Sequence, residues 1–198
     1  MEGSTAFACR FALIAASAAA LAVAVAGCGG GKRQDAAEPS GTFQVDVVRA
    51  SFPTKQHLAQ SERFVIAVRN SGNKTVPNVA VTVSSFAERS EQAGLADPER
   101  AVWIIDDSPR GGTTAYTNTW ALGRLAPGQT RRFVWRVTAV QAGTHTVKWQ
   151  VAAGLNGKAK ATLAGNRAPA GSVTVDVSDK PGQAHVDPKT GKVVREDG

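Results

Sequence analysis

Apolar residues return at every second position through most of this chain. Phe43, Val45 and Val47 alternate with Gln44 and Asp46. Phe64, Ile66 and Val68 alternate with Val65, Ala67 and Arg69, and the run stops at the turn cluster Asn70-Ser71-Gly72-Asn73. Val79, Val81 and Val83 follow Pro77-Asn78; Phe133, Trp135 and Val137 follow Ala126-Pro127-Gly128-Gln129; Val147, Trp149 and Val151 follow Ala142-Gly143. Val173, Val175 and Val177 close the series. Period-two spacing places one set of side chains on each face of a strand, so each run predicts a half-buried β-strand. Weaker strands are predicted over 102–105, 119–122 and 158–163, and a single helical turn over 85–92. Six firm and three weaker short strands between Gly, Pro and Asn turns predict an all-β fold, a sandwich of antiparallel sheets.

Two stretches, RFVIAVRNSGNKTVPNVAVTV (63–83) and LAPGQTRRFVWRVTAVQAGTHTVKWQV (125–151), carry a family resemblance. The strand ending in Val-Arg-Asn-Ser-Gly, the Asn-Val-x-Val-x-Val strand, the Leu-Ala-Pro-Gly turn and the later Ala-Gly turn resemble immunoglobulin-like modules of bacterial surface proteins, of the CARDB and DUF11 type. The resemblance implies an immunoglobulin-like β-sandwich over 42–179. A segment of about 85–119 departs from that pattern as a long insert. It holds Glu88, Glu91, Asp97, Glu99, Asp106 and Asp107, and an apolar patch, Val102 to Ile105, expected to pack as an extra edge strand. Loops this long are often functional, although a decorated loop without a ligand is the plainer reading. The polar tail, 180–198, forms either a small hairpin around Asp187-Pro188-Lys189-Thr190-Gly191 or no ordered structure.

The N-terminal stretch has a different pattern. An apolar run from Phe11 to Ala26, broken only by Ser17, reads as a secretory signal. It is shorter than the roughly 20 residues of a good membrane span, the alternative being a short uncleaved anchor. The run ends in Val25, Ala26, Gly27 and Cys28. These four resemble the lipobox of bacterial lipoproteins. The resemblance implies a signal peptide over 1–27, cleavage before Cys28, a diacylglycerol thioether on its sulfur, and attachment to the extracytoplasmic face of the cell membrane. The chain has two cysteines, and Cys9 lies within the segment to be removed. The Gly-rich stretch that continues from Cys28 through residue 41 reads as a flexible tether.

Composition is that of a globular protein, 42% hydrophobic and 20% charged. Charge placement is uneven. Nine basic and no acidic side chains lie between Ser108 and Val175, so the net charge of +7 is concentrated there. Arg132, Arg136 and Lys148 alternate away from the apolar residues of their strands, and Arg124 and Arg131 flank the Pro-Gly turn. Either these five form a face for anionic lipid or wall polymer, or carboxylates from other strands, such as Asp46 and Glu62, balance them.

Catalytic chemistry is not legible. No G-x-S-x-G elbow is present, and His57, His145 and His185 share no metal-ligand spacing. Asp97, Glu99, Asp106 and Asp107 lack the spacing of a calcium loop. No catalytic residue, metal or cofactor is expected, and no nucleic acid among the partners. Trp135 and Trp149 lie in phase with core valines and are expected to meet in the interior, Trp120 to cap the same core, and Trp103 to be the tryptophan available for a surface contact. The sequence thus reads as a lipid-anchored, non-enzymatic module that binds a protein or anionic polymer of the cell envelope. The alternative is an accessory or assembly lipoprotein of a membrane complex, docking through the 85–119 loop.

Overall fold

A computed structural model of the chain describes residues 35–88, 101–111 and 113–196. The signal segment, the lipobox and Cys28 lie outside the described residues, as do 89–100 of the long insert. Fourteen strands and no helix occur among the described residues. In chain order they are β1 (Gly41–Ser51), β2 (Lys55–Leu58), β3 (Ser61–Asn70), β4 (Ala80–Val83), β5 (Phe86–Glu88), β6 (Trp103–Asp107) and β7 (Thr113–Tyr116). Then follow β8 (Thr119–Ala121), β9 (Thr130–Ala139), β10 (Gly143–Ala152), β11 (Ala159–Thr162), β12 (Ala170–Pro181), β13 (Gln183–Val186) and β14 (Val193–Glu196).

Two six-stranded sheets face each other. The first has the order β11-β1-β3-β9-β6-β5, the second β2-β12-β10-β4-β8-β7. The central pairs β1–β3, β3–β9, β9–β6, β12–β10 and β10–β4 are antiparallel, whereas β11, β2 and β5 pair in parallel. This is an immunoglobulin-like β-sandwich. The chain crosses from the first sheet to the second through Phe52–Thr54, between β1 and β2.

The alternation read from the sequence sets which side chains fill the space between the sheets. Phe43, Val45, Phe64, Ile66, Val68, Phe133, Trp135 and Val137 come from the first sheet, and Val81, Val83, Trp120, Val147, Val151, Val175 and Val177 from the second. Aromatic rings hold one end of this core. Phe52 stands edge-on to Phe64 at 5.2 Å and to Trp103 at 5.5 Å, and Trp120 meets Trp135 at 5.3 Å across the sheets. Edge-to-face contacts of this kind add about 0.5–1.5 kcal/mol beyond area burial.

Two local expectations change, and the tail takes one of its two expected forms. The helical turn over 85–92 is replaced, as far as the chain is described, by β5, which pairs in parallel with β6. Phe86 is 2% exposed and packs against Phe52, Phe64, Trp103 and Trp135, so burial of one ring outweighs local propensity. The apolar patch at 102–105 becomes β6, which lies between β9 and β5 rather than at the sheet edge. The tail forms a hairpin, β13 with β14, closed at Asp187, whose N–H donates to Lys192 O and whose carbonyl accepts from Gly191 N.

Candidate functional site

The outer face of the first sheet is built by residues out of phase with the core. On β3 these are Ser61, Arg63, Val65, Ala67 and Arg69; on β9 they are Thr130, Arg132, Val134, Arg136 and Thr138. Register places them in rows across the strands. Arg49 of β1 and Arg132 flank Ala67, Ser51 and Val134 flank Val65, and Arg63 stands opposite Arg136. A register shift between Val47 and Arg49 brings Arg49 onto this face. All five arginines, Arg49, Arg63, Arg69, Arg132 and Arg136, are exposed, whereas Val65 and Ala67 beneath them are 8% and 3% exposed. Long arginine stems lie along apolar surface while their guanidinium groups stay in water.

Among the described residues, carboxylates answer only part of this charge. Asp107 lies 3.7 Å from Arg136 Nε, with both side chains more than half exposed, so the pair is worth little. Asp46 stands opposite Arg69 in the register. The Asp106 carboxylate accepts the hydroxyls of Ser61 and Thr138, at 2.8 and 2.7 Å. Asp106 and Asp107 are thereby accounted for by hydroxyls and an arginine, and no group of three or more His, Cys, Asp or Glu able to hold a metal occurs among the described residues.

The five basic residues singled out in the sequence do not form one face. Arg132 and Arg136 lie on the outer face of the first sheet. Lys148 lies out of phase with the core on β10, on the outer face of the opposite sheet, where its N–H donates to Ser84 Oγ. Arg124 and Arg131 are at one end of the sandwich, where β9 begins. In their place Arg49, Arg63 and Arg69 join Arg132 and Arg136. A sign of this was present in β3, where Arg63 and Arg69 alternate against Phe64, Ile66 and Val68. The excess of charge lies in 108–175, whereas β3 belongs to a segment that is nearly neutral.

The tryptophans exchange roles. Trp103, expected at the surface, is fully buried, and its Nε1 donates to Gln56 Oε1 at 2.8 Å. Trp135 is also fully buried, as expected, but Trp149 is only partly buried, packing against the core's margin. Trp149 opens onto a cleft of about 700 Å³ beside the Phe52–Thr54 crossing, whose lining includes Arg49, Arg63, Arg132, Val65 and Val134. Inward phase alone did not bury Trp149, because its neighbour on β12 is Gly171 at the thinly covered margin of the second sheet.

No protein-family model and no curated protein matches the chain. Among solved structures, it is similar to the CARDB domain of the PF1109 protein from Pyrococcus furiosus. A crystal structure of that domain in complex with di-metal ions gives 15% identity and a TM-score of 0.41, covering 70% of this chain and 93% of that one. A solution structure of the same domain gives 15% identity and 0.39, covering 69% and 92%. The native conformation of E. coli alpha-2-macroglobulin gives 13% identity and 0.39, covering 74% of this chain and 8% of that one. The assignment of this chain as an immunoglobulin-like sandwich rests on its own strand order and register.

Proposed function

We propose that this chain is a lipid-anchored, non-enzymatic β-sandwich module on the extracytoplasmic face of the cell membrane. Its first sheet binds an anionic polymer of the cell envelope through Arg49, Arg63, Arg69, Arg132 and Arg136. The observation that carries the reading is the gathering of five exposed arginines from three adjacent strands around Val65 and Ala67, with one ion pair, Arg136 to Asp107 at 3.7 Å, among the described residues. Neighbouring strands are about 4.8 Å apart, and successive same-face residues about 6.6 Å apart along a strand. Guanidinium groups on such a grid can meet the repeated phosphates or carboxylates of a polymer, each by paired N–H donors. The lipobox at Val25–Cys28 supports the location, and a diacylglyceryl group supplies the two chains that stable anchoring needs.

The test uses the chain from Cys28 onward, with purified wall material and soluble polyanions. Binding should weaken as salt rises and fall in Arg132→Glu/Arg136→Glu and Arg49→Glu/Arg63→Glu, while Lys148→Glu on the opposite sheet leaves it intact. Equal loss in all three variants would indicate net charge alone and remove the face from the proposal. Capture of one stoichiometric membrane complex, insensitive to these substitutions but lost on changes within 85–119, would establish the accessory role instead.

A further inference from the structure

The end of the sandwich at which the N-terminal segment arrives is held by a connected set of side-chain hydrogen bonds. Asn70 is fully buried; its Nδ2 donates to Leu125 O at 2.8 Å and Lys74 O at 2.9 Å, and its Oδ1 accepts from Gly72 N. One side chain thus joins the loop after β3 to the loop before β9. Asn78 continues the set, accepting from Gly123 N through Oδ1 and donating through Nδ2 to Glu38. The Glu38 carboxylate also accepts from Leu155 N at 2.7 Å and Asn156 N at 3.3 Å. Gly154 is required for this approach, since a Cβ there would collide with Glu38 Oε2. Asp35 is 3% exposed; Tyr116 Oη donates to its carboxylate, and Asn156 Nδ2 to its carbonyl. Residues 35–40, the last part of the expected tether, are therefore strapped to the domain.

The same end carries Lys74, Arg124, Arg131 and Lys158, all exposed. Within 35–40, 71–78, 123–129 and 153–158 the carboxylates are Asp35 and Glu38, and both are engaged by the strap. We infer that this end is a docking surface for the anionic headgroups of the membrane, and that the strap aims the domain at it. The inference rests on the proposed lipid at Cys28. From Cys28 to Asp35 the chain spans at most about 25 Å fully extended. Beyond Lys32 and Arg33 of the span itself, the strap fixes where this short span joins the domain, so Lys74, Arg124, Arg131 and Lys158 are the domain's own cations held nearest the bilayer. Anionic lipid attracts such residues within about 8 Å at physiological salt. The five arginines of the first sheet are left on a lateral face, free for a polymer.

Two measurements separate the anchor from the surface. Fractionation of cells expressing the full chain against its Cys28→Ala variant tests the anchor by itself. The chain from residue 28 onward bearing Cys28→Ala, which carries neither lipid nor the apolar 11–26 run, tests the surface by itself on vesicles of neutral phosphatidylcholine with and without phosphatidylglycerol. It should bind only the anionic vesicles and protect amides of 71–75 and 123–129 from hydrogen exchange, while 140–146 at the opposite end stay unprotected. Lys74→Glu/Arg124→Glu/Arg131→Glu should lower that binding by more than about tenfold, and Arg132→Glu/Arg136→Glu should leave it within about twofold. Protection at both ends alike, or a larger loss from the Arg132/Arg136 pair, would overturn the inference even if the anchor is confirmed. Release of the wild-type chain from cell membranes would remove the anchor, while vesicle binding that tracks Lys74, Arg124 and Arg131 would keep the surface.

Discussion

The indole of Trp149 lies directly over Gly171, its partner across the β10–β12 pair. A Cβ at residue 171 would stand 2.5 Å from Cζ2 and 2.8 Å from Cε2 of that ring. Gly171→Ala therefore forces the ring to move. It should destabilise the domain by about 1–3 kcal/mol, as overpacking does, and shift Trp149 emission to the red. Urea unfolding with fluorescence detection checks both. Removing the ring in Gly171→Ala/Trp149→Leu should recover part of the loss, and no recovery would mean that the cost lies in the backbone.

Three buried indoles offer a comparison of hydrogen-bond accounts. Trp103 donates to Gln56 Oε1, whereas Nε1 of Trp120 and of Trp135 has no partner. Trp103→Phe leaves a buried acceptor unsatisfied, and Trp135→Phe removes a donor that had no acceptor. The first should cost about 1–3 kcal/mol more than the second. Truncation of Trp135 to Ala should cost about 3–5 kcal/mol, since the cavity then dominates. Equal costs for the two Phe variants in thermal unfolding would contradict the hydrogen-bond assignment.

The Asn70 side chain makes three hydrogen bonds with no exposed atom. Asn70→Asp keeps the shape and the acceptor for Gly72 N but cannot donate to Lys74 O and Leu125 O when ionised. It should destabilise more than Asn70→Ala, which costs at least about 1–3 kcal/mol through the carbonyls left unpaired. Faster amide exchange should appear at Leu125, Gly128 and Val76 in either variant, because the two loops then come apart.

Asp187 at the tip of the β13–β14 hairpin titrates below the ordinary aspartate range. The chief cause is the Lys189 N–H, donated to its carboxylate at 2.7 Å, with Thr190 adding to it. A carboxyl depressed in the folded state contributes stability above its unfolded pKa, and that contribution is lost as pH falls through the folded value. Acidification should therefore loosen the turn at 187–192. Carboxyl NMR titration should place the Asp187 midpoint below that of an aspartate in a peptide, and Asp187→Asn should abolish the pH dependence of the protection factor, exchange relative to the intrinsic rate, at Lys189 N.

Much of the architecture is legible in the sequence because strand periodicity and turn chemistry are local. Alternation located the six firm strands, and Pro127-Gly128 marks a turn in which Gly128 adopts φ +75° and Gln129 N returns to Ala126 O. The Asn in Val-Arg-Asn-Ser-Gly reads locally as a turn residue, and its burial as a clamp between two loops requires the loop at Leu125, fifty-five residues away, to be in place. Period two states which face a residue occupies; it does not state how far that residue lies from the margin of its sheet. For that reason Trp149, in phase with buried valines, is half open beside Gly171, while Trp103, on a short strand of the insert, is enclosed. Phe86 was similarly claimed for the core against its local helical setting. Surface charge depends on tertiary structure in the same way. Arg132 and Lys148 are close in sequence and lie on opposite sheets, whereas Arg49, Ala67 and Arg132 share one row, because register joins distant strands and the sandwich separates adjacent ones.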